Sequence, residues 1–364
     1  VKLLVISSYV DTLNAVRPEA EMLIELSKLG VTVELMTQPD AEYRSRFESE
    51  GIKVHGYHPR KKFEREAIAR IRNVLKDGHF DAVYSFNNKA IANVNLAALG
   101  LPVKVLTYRG QTGNISRWDP SCYLTHLSPR VDRILCVSKA TRDDLQKHVW
   151  GNRNKVCAVY KGHDLEWYRD TPVDLTSLGI PAGAFVVGSV ANLRPRKGLP
   201  VLLEAARDLP ADSNIHVLLV GGGLDTPEVD TLIAACPMAE HIHRVGFRRD
   251  APALIAACDV SVLASTKREG LPKTVIEAMA YGVAPIVSDT GGSVELIEDG
   301  ISGIRVTPGS AQEISAAIKR LYSDPVACNA MGEKARLRIA SHFHVKQSAQ
   351  ALLQVLTETV NGEF

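Results

Sequence analysis

Several short signals are missing from this chain, and each absence removes a class of protein. The six cysteines (Cys122, Cys136, Cys157, Cys236, Cys258, Cys328) are scattered over 364 residues with no C-x-x-C. That excludes a disulfide scaffold and leads us to expect reduced, mostly buried thiols. No window reaches the roughly 18 uninterrupted apolar residues of a membrane span. The opening VKLLVISS runs directly into a strand-like pattern without a basic-then-apolar leader, so a cytoplasmic protein is expected. No D-x-D is present, so no metal-dependent diphosphate site of that type is indicated and no metal ligands are assigned. The 11 histidines form no H-E-x-x-H; His241 and His243 alternate along a strand and are expected to be structural or solvent-facing. GGGLDTPE (221–228) follows a strand, and its Gly222 could cradle a phosphate. It lacks the third glycine and the acidic residue of a dinucleotide fingerprint, so a nicotinamide cofactor is not expected.

What is present is ordinary in bulk and uneven in detail. Hydrophobic residues make up 45% and charged residues 23% of the chain, values typical of soluble globular proteins, and the length suggests two domains. The net charge of +2 divides into +6 for residues 1–170 and −4 for the remainder, as if two modules met different partners. This is too little charge to argue for nucleic acid. The first half holds a basic run, PRKKFEREAIARIRNVLK (59–76), in which Phe63, Ile68, Ile71 and Leu75 line part of one helical face. Such a segment reads either as a helix lying on an anionic membrane or as a solvated helix packed on a sheet.

Short apolar runs alternate with helical patterns. In the first half they are 1–7, 31–37, 53–57, 82–86, 103–108, 133–138 and 155–160, with a helix over 17–30. Residues 170–183, rich in Pro, Gly and Thr, read as a linker. A second series follows at 185–192, 216–221, 243–247, 260–265, 284–289 and 303–307. Strands alternating with helices mean mostly parallel sheets covered on both faces. We therefore expect an α/β protein of two Rossmann-like domains facing across a cleft, at 1–170 and 184–343. Ligands in such sheets sit at the carboxyl ends of the strands.

Two stretches carry the chemistry. In STKREGLPKTVIEAMAYG (265–282), Pro272 suits the first position of a helix. The N–H groups of Lys273, Thr274 and Val275 would then form an anion-binding helix start. Glu269 lies just before that start and Glu277 inside the helix. Two carboxylates around an anion site suit a ligand with hydroxyls on both sides of a diphosphate, a nucleotide sugar; the alternative is two surface glutamates on an exposed turn. In SVANLRPRKGLPVLLEA (189–205), Arg194, Arg196 and Lys197 cluster between a strand and a helix. They could neutralise a departing diphosphate or form a solvated basic turn.

Together these stretches resemble the retaining family-4 glycosyltransferases of the GT-B fold. Glu269 and Glu277 match the family's Glu-x7-Glu motif, E-G-L-P and I-E-A-M-A-x-G match around it, and GG…ELI…G.SG (291–303) matches beyond it. NLRPRKG looks like the donor-phosphate loop, and VDRILCVSKATRDDL (131–145) looks like the segment near the end of the first domain. The resemblance implies donor binding in the second domain by Glu277, Gly270, Leu271, Lys273, Thr274, Val275 and Gly222, with Phe247 and Arg248 flanking the base. It implies catalytic roles for Lys197, Arg194 and Glu269. The departures are specific. Asn192 stands where the family has an arginine, with Arg194 the nearest replacement. YVDTLNAVRPEAE (9–21) lacks a Gly-Gly loop. The strand end with a family histidine reads TYRGQTGN. On this resemblance the acceptor site would draw on Arg109, Gly110, Thr112, Asn114 and His163, and the helix at 344–364 would cross back to the first domain.

The resemblance implies a hexosyltransferase that moves a sugar from a nucleotide-diphosphate sugar, with retention, to a saccharide or lipid-linked acceptor. Cell-surface polysaccharide or lipopolysaccharide biosynthesis at the inner membrane face would be its setting. No cofactor and no metal is expected, because Lys197 and Arg194 can serve the leaving group. A GT-B nucleotide-sugar epimerase and a non-catalytic nucleotide-sugar-binding protein stay open as alternatives.

Overall fold

The computed structural model describes residues 1–10 and 16–364 and divides them into two units: residues 1–162 with 343–364, and residues 163–342. The loop call over 9–21 lies partly outside the described residues.

The first unit is built on a seven-stranded parallel sheet. Its strands are β1 (Lys2–Ile6), β2 (Thr32–Thr37), β3 (Lys53–Gly56), β4 (Ala82–Ser85), β5 (Lys104–Arg109), β6 (Arg133–Cys136) and β7 (Val156–Ala158), in the order β3-β2-β1-β4-β5-β6-β7. β1, β4 and β6 are almost wholly buried, because crossover helices cover both faces of a parallel sheet. Two of the helix starts have a local cause in a side-chain cap. Asn87 accepts from the Ala90 N–H at the head of helix Asn88–Ala97, and Ser138 accepts from Thr141 at the head of Lys139–Gln146. Such caps satisfy N–H groups that the helix itself cannot. The helix Val345–Asn361 packs on helix Val16–Lys28 of this unit, and its Glu358 accepts from Arg133 at 2.9 Å.

The second unit carries six parallel strands: β8 (Phe185–Val190), β9 (Ile215–Val220), β10 (Ile242–Arg244), β11 (Val260–Leu263), β12 (Ala284–Ser288) and β13 (Ile304–Val306), ordered β10-β9-β8-β11-β12-β13. In both sheets the order reverses once, between β1 and β4 and between β8 and β11. Open α/β sheets form a ligand crevice at such a reversal, outside the carboxyl ends of the strands. Both architectural expectations, α/β layering and two doubly wound sheets, are met.

Three local expectations are corrected. Residues 170–183 do not form a linker. Leu175 and Ile180 are buried with Val186, Leu218 and Leu254, and the Val173 N–H bonds the Ala253 carbonyl. Two apolar side chains thus anchor an otherwise turn-rich segment to the second core. The helix Arg65–Gly78 does not offer its apolar face to lipid, because Ala67, Ile71 and Leu75 are buried in the first unit. Its arginines are partly engaged as well: Arg72 donates to the Ala97 and Leu99 carbonyls, and Arg70 pairs with Glu66. Phe63 precedes this helix and is 60% exposed. Finally, the helix after β11 runs Lys273–Ala280, so Pro272 caps it from outside. Among the described residues no helix is long and apolar enough to cross a membrane.

Candidate functional site

The reversal between β8 and β11 is flanked by the two loops that follow those strands, and each holds charged residues the sequence singled out. After β8 the chain turns through a short 3-10 segment, Pro195–Lys197, and enters the helix Leu199–Arg207 through Gly198. Gly198 has φ +70°, and a Cβ there would overlap the Ala264 carbonyl. Only glycine lets the two loops approach this closely. The Thr266 N–H bonds the Arg196 carbonyl at 2.8 Å, and the Arg196 guanidinium donates to the Arg268 carbonyl at 3.0 Å. The loops are therefore clasped to each other by bonds of their own.

Within this clasp the Lys197 ammonium lies 2.7 Å from Glu269 Oε1, Ser265 Oγ donates to the same oxygen at 2.6 Å, and Arg196 stands 3.6 Å away. Glu269 is buried, with 4% of its surface exposed, so the reading as a surface glutamate does not hold for it. Residue Arg268, just before it, adopts φ +63°, a conformation that costs a non-glycine residue about 1 kcal/mol or more. Gly291 packs against the Glu269 backbone: a Cβ at this position, φ +54°, would overlap the Glu269 main-chain carbonyl.

Glu277 is buried too, at 6% exposure, and accepts from Lys273 at 2.5 Å one helical turn away. Burial raises its pKa, and the Lys273 ammonium opposes the rise. Val275 is buried, and its N–H and that of Ile276 both bond the Pro272 carbonyl. The expected trio of outward N–H groups therefore loses Val275, because the turn at Pro272 takes it up. Lys273, Thr274 and Leu271 are half-buried, and Gly270 is buried against them.

The remaining donor candidates are placed as follows. Arg194, the expected replacement for the family arginine, is exposed; the guanidinium beside Glu269 belongs to Arg196. Asn192, in the family arginine's place, accepts from the Gly222 N–H at 2.8 Å and pins the glycine-rich loop after β9. Phe247 is 64% exposed. Arg248 is held by Asp250 through two hydrogen bonds, at 2.7 and 2.6 Å.

The acceptor candidates do not assemble into one group. Arg109, at the end of β5, is buried and donates to the Gly113 carbonyl, and the Gly113 N–H bonds Asp144 at 2.7 Å. Its guanidinium thus holds its own loop, in which Gly110 and Asn114 are exposed and Thr112 half-buried. His163 belongs to the second unit, buried against Tyr168 and Trp167.

Sequence reasoning missed two clusters and the His216 member of a third. His126 is buried beside Thr107, at 3.1 Å, and burial with the nearby Arg109 charge pulls its pKa down to about 3. Lys161 meets Glu19 at 2.6 Å, and the same carboxylate accepts from Ser7 and Tyr9 at 2.6 and 2.8 Å. In the second unit His216 stacks on His241 and lies 2.9 Å from His243. Among the described residues no three His, Cys, Asp or Glu side chains are placed to hold a metal ion.

Two parallel sheets, each reversing once, with a charged clasp at the second reversal, define the GT-B architecture. A profile described as "Glycosyl transferases group 1" matches residues 170–338, and one described as "Glycosyltransferase Family 4" matches residues 20–167. The chain belongs to this glycosyltransferase family. It is 26% identical over 236 residues to the lipopolysaccharide core biosynthesis glycosyltransferase LpsE of Rhizobium meliloti, covering 64% of this chain and 67% of that one. It is 30% identical over 237 residues to the D-inositol 3-phosphate glycosyltransferase of Rhodococcus opacus, where the alignment covers 61% of this chain and only 52% of the relative. Among solved structures, HepE of Anabaena in complex with UDP superposes with a TM-score of 0.80 at 22% identity, over 98% of this chain and 100% of that one.

Proposed function

We propose that this chain moves a sugar from a nucleotide-diphosphate sugar to a saccharide or lipid-linked acceptor, with retention of configuration and without a metal. The single observation that carries the reading is the Lys197–Glu269 contact at the β8/β11 reversal. A cation and a carboxylate, held within 2.7 Å on two clasped loops, offer one partner for a diphosphate and one for sugar hydroxyls. The C1–O bond to the donor phosphate breaks with its electron pair going to the phosphate oxygen. The acceptor oxygen bonds C1 from the same face, and its proton passes to the departing phosphate. Lys197 and Arg196 stabilise the charge gathering on that phosphate. Glu269 orients the sugar, Glu277 accepts from the ribose hydroxyls, and Arg194, exposed on the same loop, serves the outer phosphate.

Relatives support the setting: LpsE is named for lipopolysaccharide core biosynthesis, and HepE has been crystallised with UDP-glucose. Cell-surface polysaccharide or lipopolysaccharide assembly is the matching role here. Attachment to the inner membrane face belongs to the same reading. Its support is the exposed Lys61 and Phe63, not the helix that follows.

The test is a thermal-shift screen of nucleotide sugars on the full chain, since a ligand that binds only the folded state raises its stability. It is followed by transfer assays with the best donor in EDTA. A stabilising nucleotide sugar and metal-free turnover are expected. Turnover lost in EDTA and restored by magnesium or manganese would overturn the metal-free step, and no stabilisation by any nucleotide sugar would overturn the donor assignment.

A further inference from the structure

The reversal in the first sheet, between β1 and β4, opens onto a cavity of about 700 Å³, within the size range of small-molecule sites. Ser8 follows β1, Gln38 and Asp40 follow β2, His58 and Arg60 follow β3, and Asn87 and Lys89 follow β4; all line it, together with Lys62. Three full cations, Arg60, Lys62 and Lys89, thus face one carboxylate, Asp40. Among the described residues, none of the three cations is in a salt bridge.

Their backbone is not loose. The turn from Tyr57 to Glu64 is fixed by the Glu64 carboxylate, which accepts from the Arg60 N–H at 2.7 Å, the Lys61 N–H at 3.3 Å and the Tyr57 hydroxyl at 2.9 Å. Asn93, fully buried, clamps the same turn by donating to the Lys61 carbonyl at 2.8 Å and accepting from the Glu64 N–H at 3.0 Å. The opposite wall is fixed as well. Asn87 caps the helix Asn88–Ala97 through Ala90 and donates at 2.9 Å to His58 Nε2. His58 is nine-tenths buried; burial chiefly lowers its pKa, the bond to the Pro59 backbone opposes this, and the Lys89 charge adds to it, which favours the neutral ring. A neutral imidazole whose two nitrogens are both engaged adds shape and no charge. The positive potential is therefore left to three side chains on two fixed supports, with Asp40 the one carboxylate among the described residues that line the cavity.

We propose that this cavity holds a phosphate or diphosphate group carried by the acceptor, with Arg60, Lys62 and Lys89 as its counter-charges. This rests on the transferase reading above and deepens it by naming an anionic acceptor. An anion entering here gains charge-assisted hydrogen bonds from cations that no salt bridge already engages. A neutral saccharide would leave all three without partners. The phosphate could belong to a soluble sugar phosphate or to a lipid headgroup.

The test uses the full chain in saturating UDP, so that the second unit's site is occupied. Calorimetry with inorganic pyrophosphate should show saturable binding. Flotation with phosphatidylcholine vesicles, with and without phosphatidic acid, asks whether a lipid-borne phosphate is taken as well. The variants are Lys89→Met alone and Arg60→Met with Lys62→Met. Lys89 is exposed and outside the run that includes Phe63, so its loss does not test general surface charge. At least tenfold weaker pyrophosphate binding in both variants, with UDP affinity unchanged, supports the site. Phosphatidic-acid-dependent flotation lost in Lys89→Met supports a lipid source for the phosphate. If pyrophosphate and phosphatidic acid are both ignored by the wild type, or bound equally well by Lys89→Met, the proposal fails. Failure of UDP itself to bind would instead remove the donor assignment.

Discussion

The two sheet reversals present opposite electrostatic situations. At β8/β11 the charges are already matched: Lys197 and Arg196 against Glu269, and Lys273 against Glu277. At β1/β4 three cations line a cavity, with Asp40 the one carboxylate among its lining residues. A matched rim must exchange partners when a ligand arrives. Its ligand takes over hydrogen bonds that already exist, and what it gains is the difference between two sets of good contacts. An unmatched rim gains contacts outright. The first arrangement favours discrimination among closely related ligands, and the second favours capture of any suitably charged group.

The first unit does hold a matched pair, but deeper: Lys161 with Glu19, backed by Ser7 and Tyr9. Breaking it should have the largest effect on stability. Glu19→Ala leaves an ammonium and two hydroxyls without their acceptor in a buried site, and should cost the first unit roughly 3–5 kcal/mol. Chemical denaturation followed by a probe in each unit will show whether the loss is confined to the first. A milder loss in Glu19→Met with Lys161→Met would confirm that the cost lies in the stranded charge.

At the matched rim of the second unit, Lys197→Ala should lower turnover by about 10²–10³, the usual cost of removing one preorganised partner of developing negative charge. Nucleotide-sugar affinity should change less than turnover does. An equal fall in affinity and no fall in kcat would recast Lys197 as a binding group and blur the contrast with the first unit's cations.

Glu277→Gln keeps the shape and removes the charge. It should weaken nucleoside-diphosphate binding by roughly 1–3 kcal/mol through lost charge-assisted hydrogen bonds. Calorimetry with UDP and with UDP-glucose checks this, and unchanged affinity would remove Glu277 from the site.

The smallest effect concerns acid. His126 in the first unit has its pKa pulled down to about 3 by burial and the Arg109 charge. The unfolded chain takes up this proton near pH 6.5 and the folded chain does not, so stability is full above that pH and falls as pH drops towards 3. At pH 5.5 the loss should be about 1 kcal/mol, from the 1.36 kcal/mol that each pKa unit represents. His126→Gln should flatten this slope in the first unit. His216, with its pKa pulled down to about 4 by burial and the neighbouring histidines, will keep the second unit acid-sensitive.

The sequence announced the strands because a buried parallel strand is an apolar run whatever its neighbours. It could not announce their order, since nothing in KLLVI names β4 as a neighbour of β1. The second unit's rim was legible for a related reason. Glu269, Pro272 and Glu277 lie within one strand-turn-helix, where spacing alone fixes who sits beside whom. Which arginine joins them was not legible. Arg194 and Arg196 differ by two positions in a turn, and the 3-10 segment with its left-handed Gly198 decides that Arg196 faces Glu269. The first unit's cavity left no motif, because Ser8, Gln38, His58 and Asn87 each close a different strand. His126 was hidden likewise: its partner Thr107 lies on a strand 19 residues earlier.

The returning helix Val345–Asn361 has a consequence for how the chain is made. The second unit is one uninterrupted segment, so all its contacts are available once residue 342 has left the ribosome. The first unit's residues up to 162 are made before it, yet helix Val16–Lys28 lacks its cover until residues 345–361 have followed. The half synthesised first is therefore the half completed last. Its sheet passes through a long co-translational interval with one helix face bare, an interval in which chaperones and proteases compete for it.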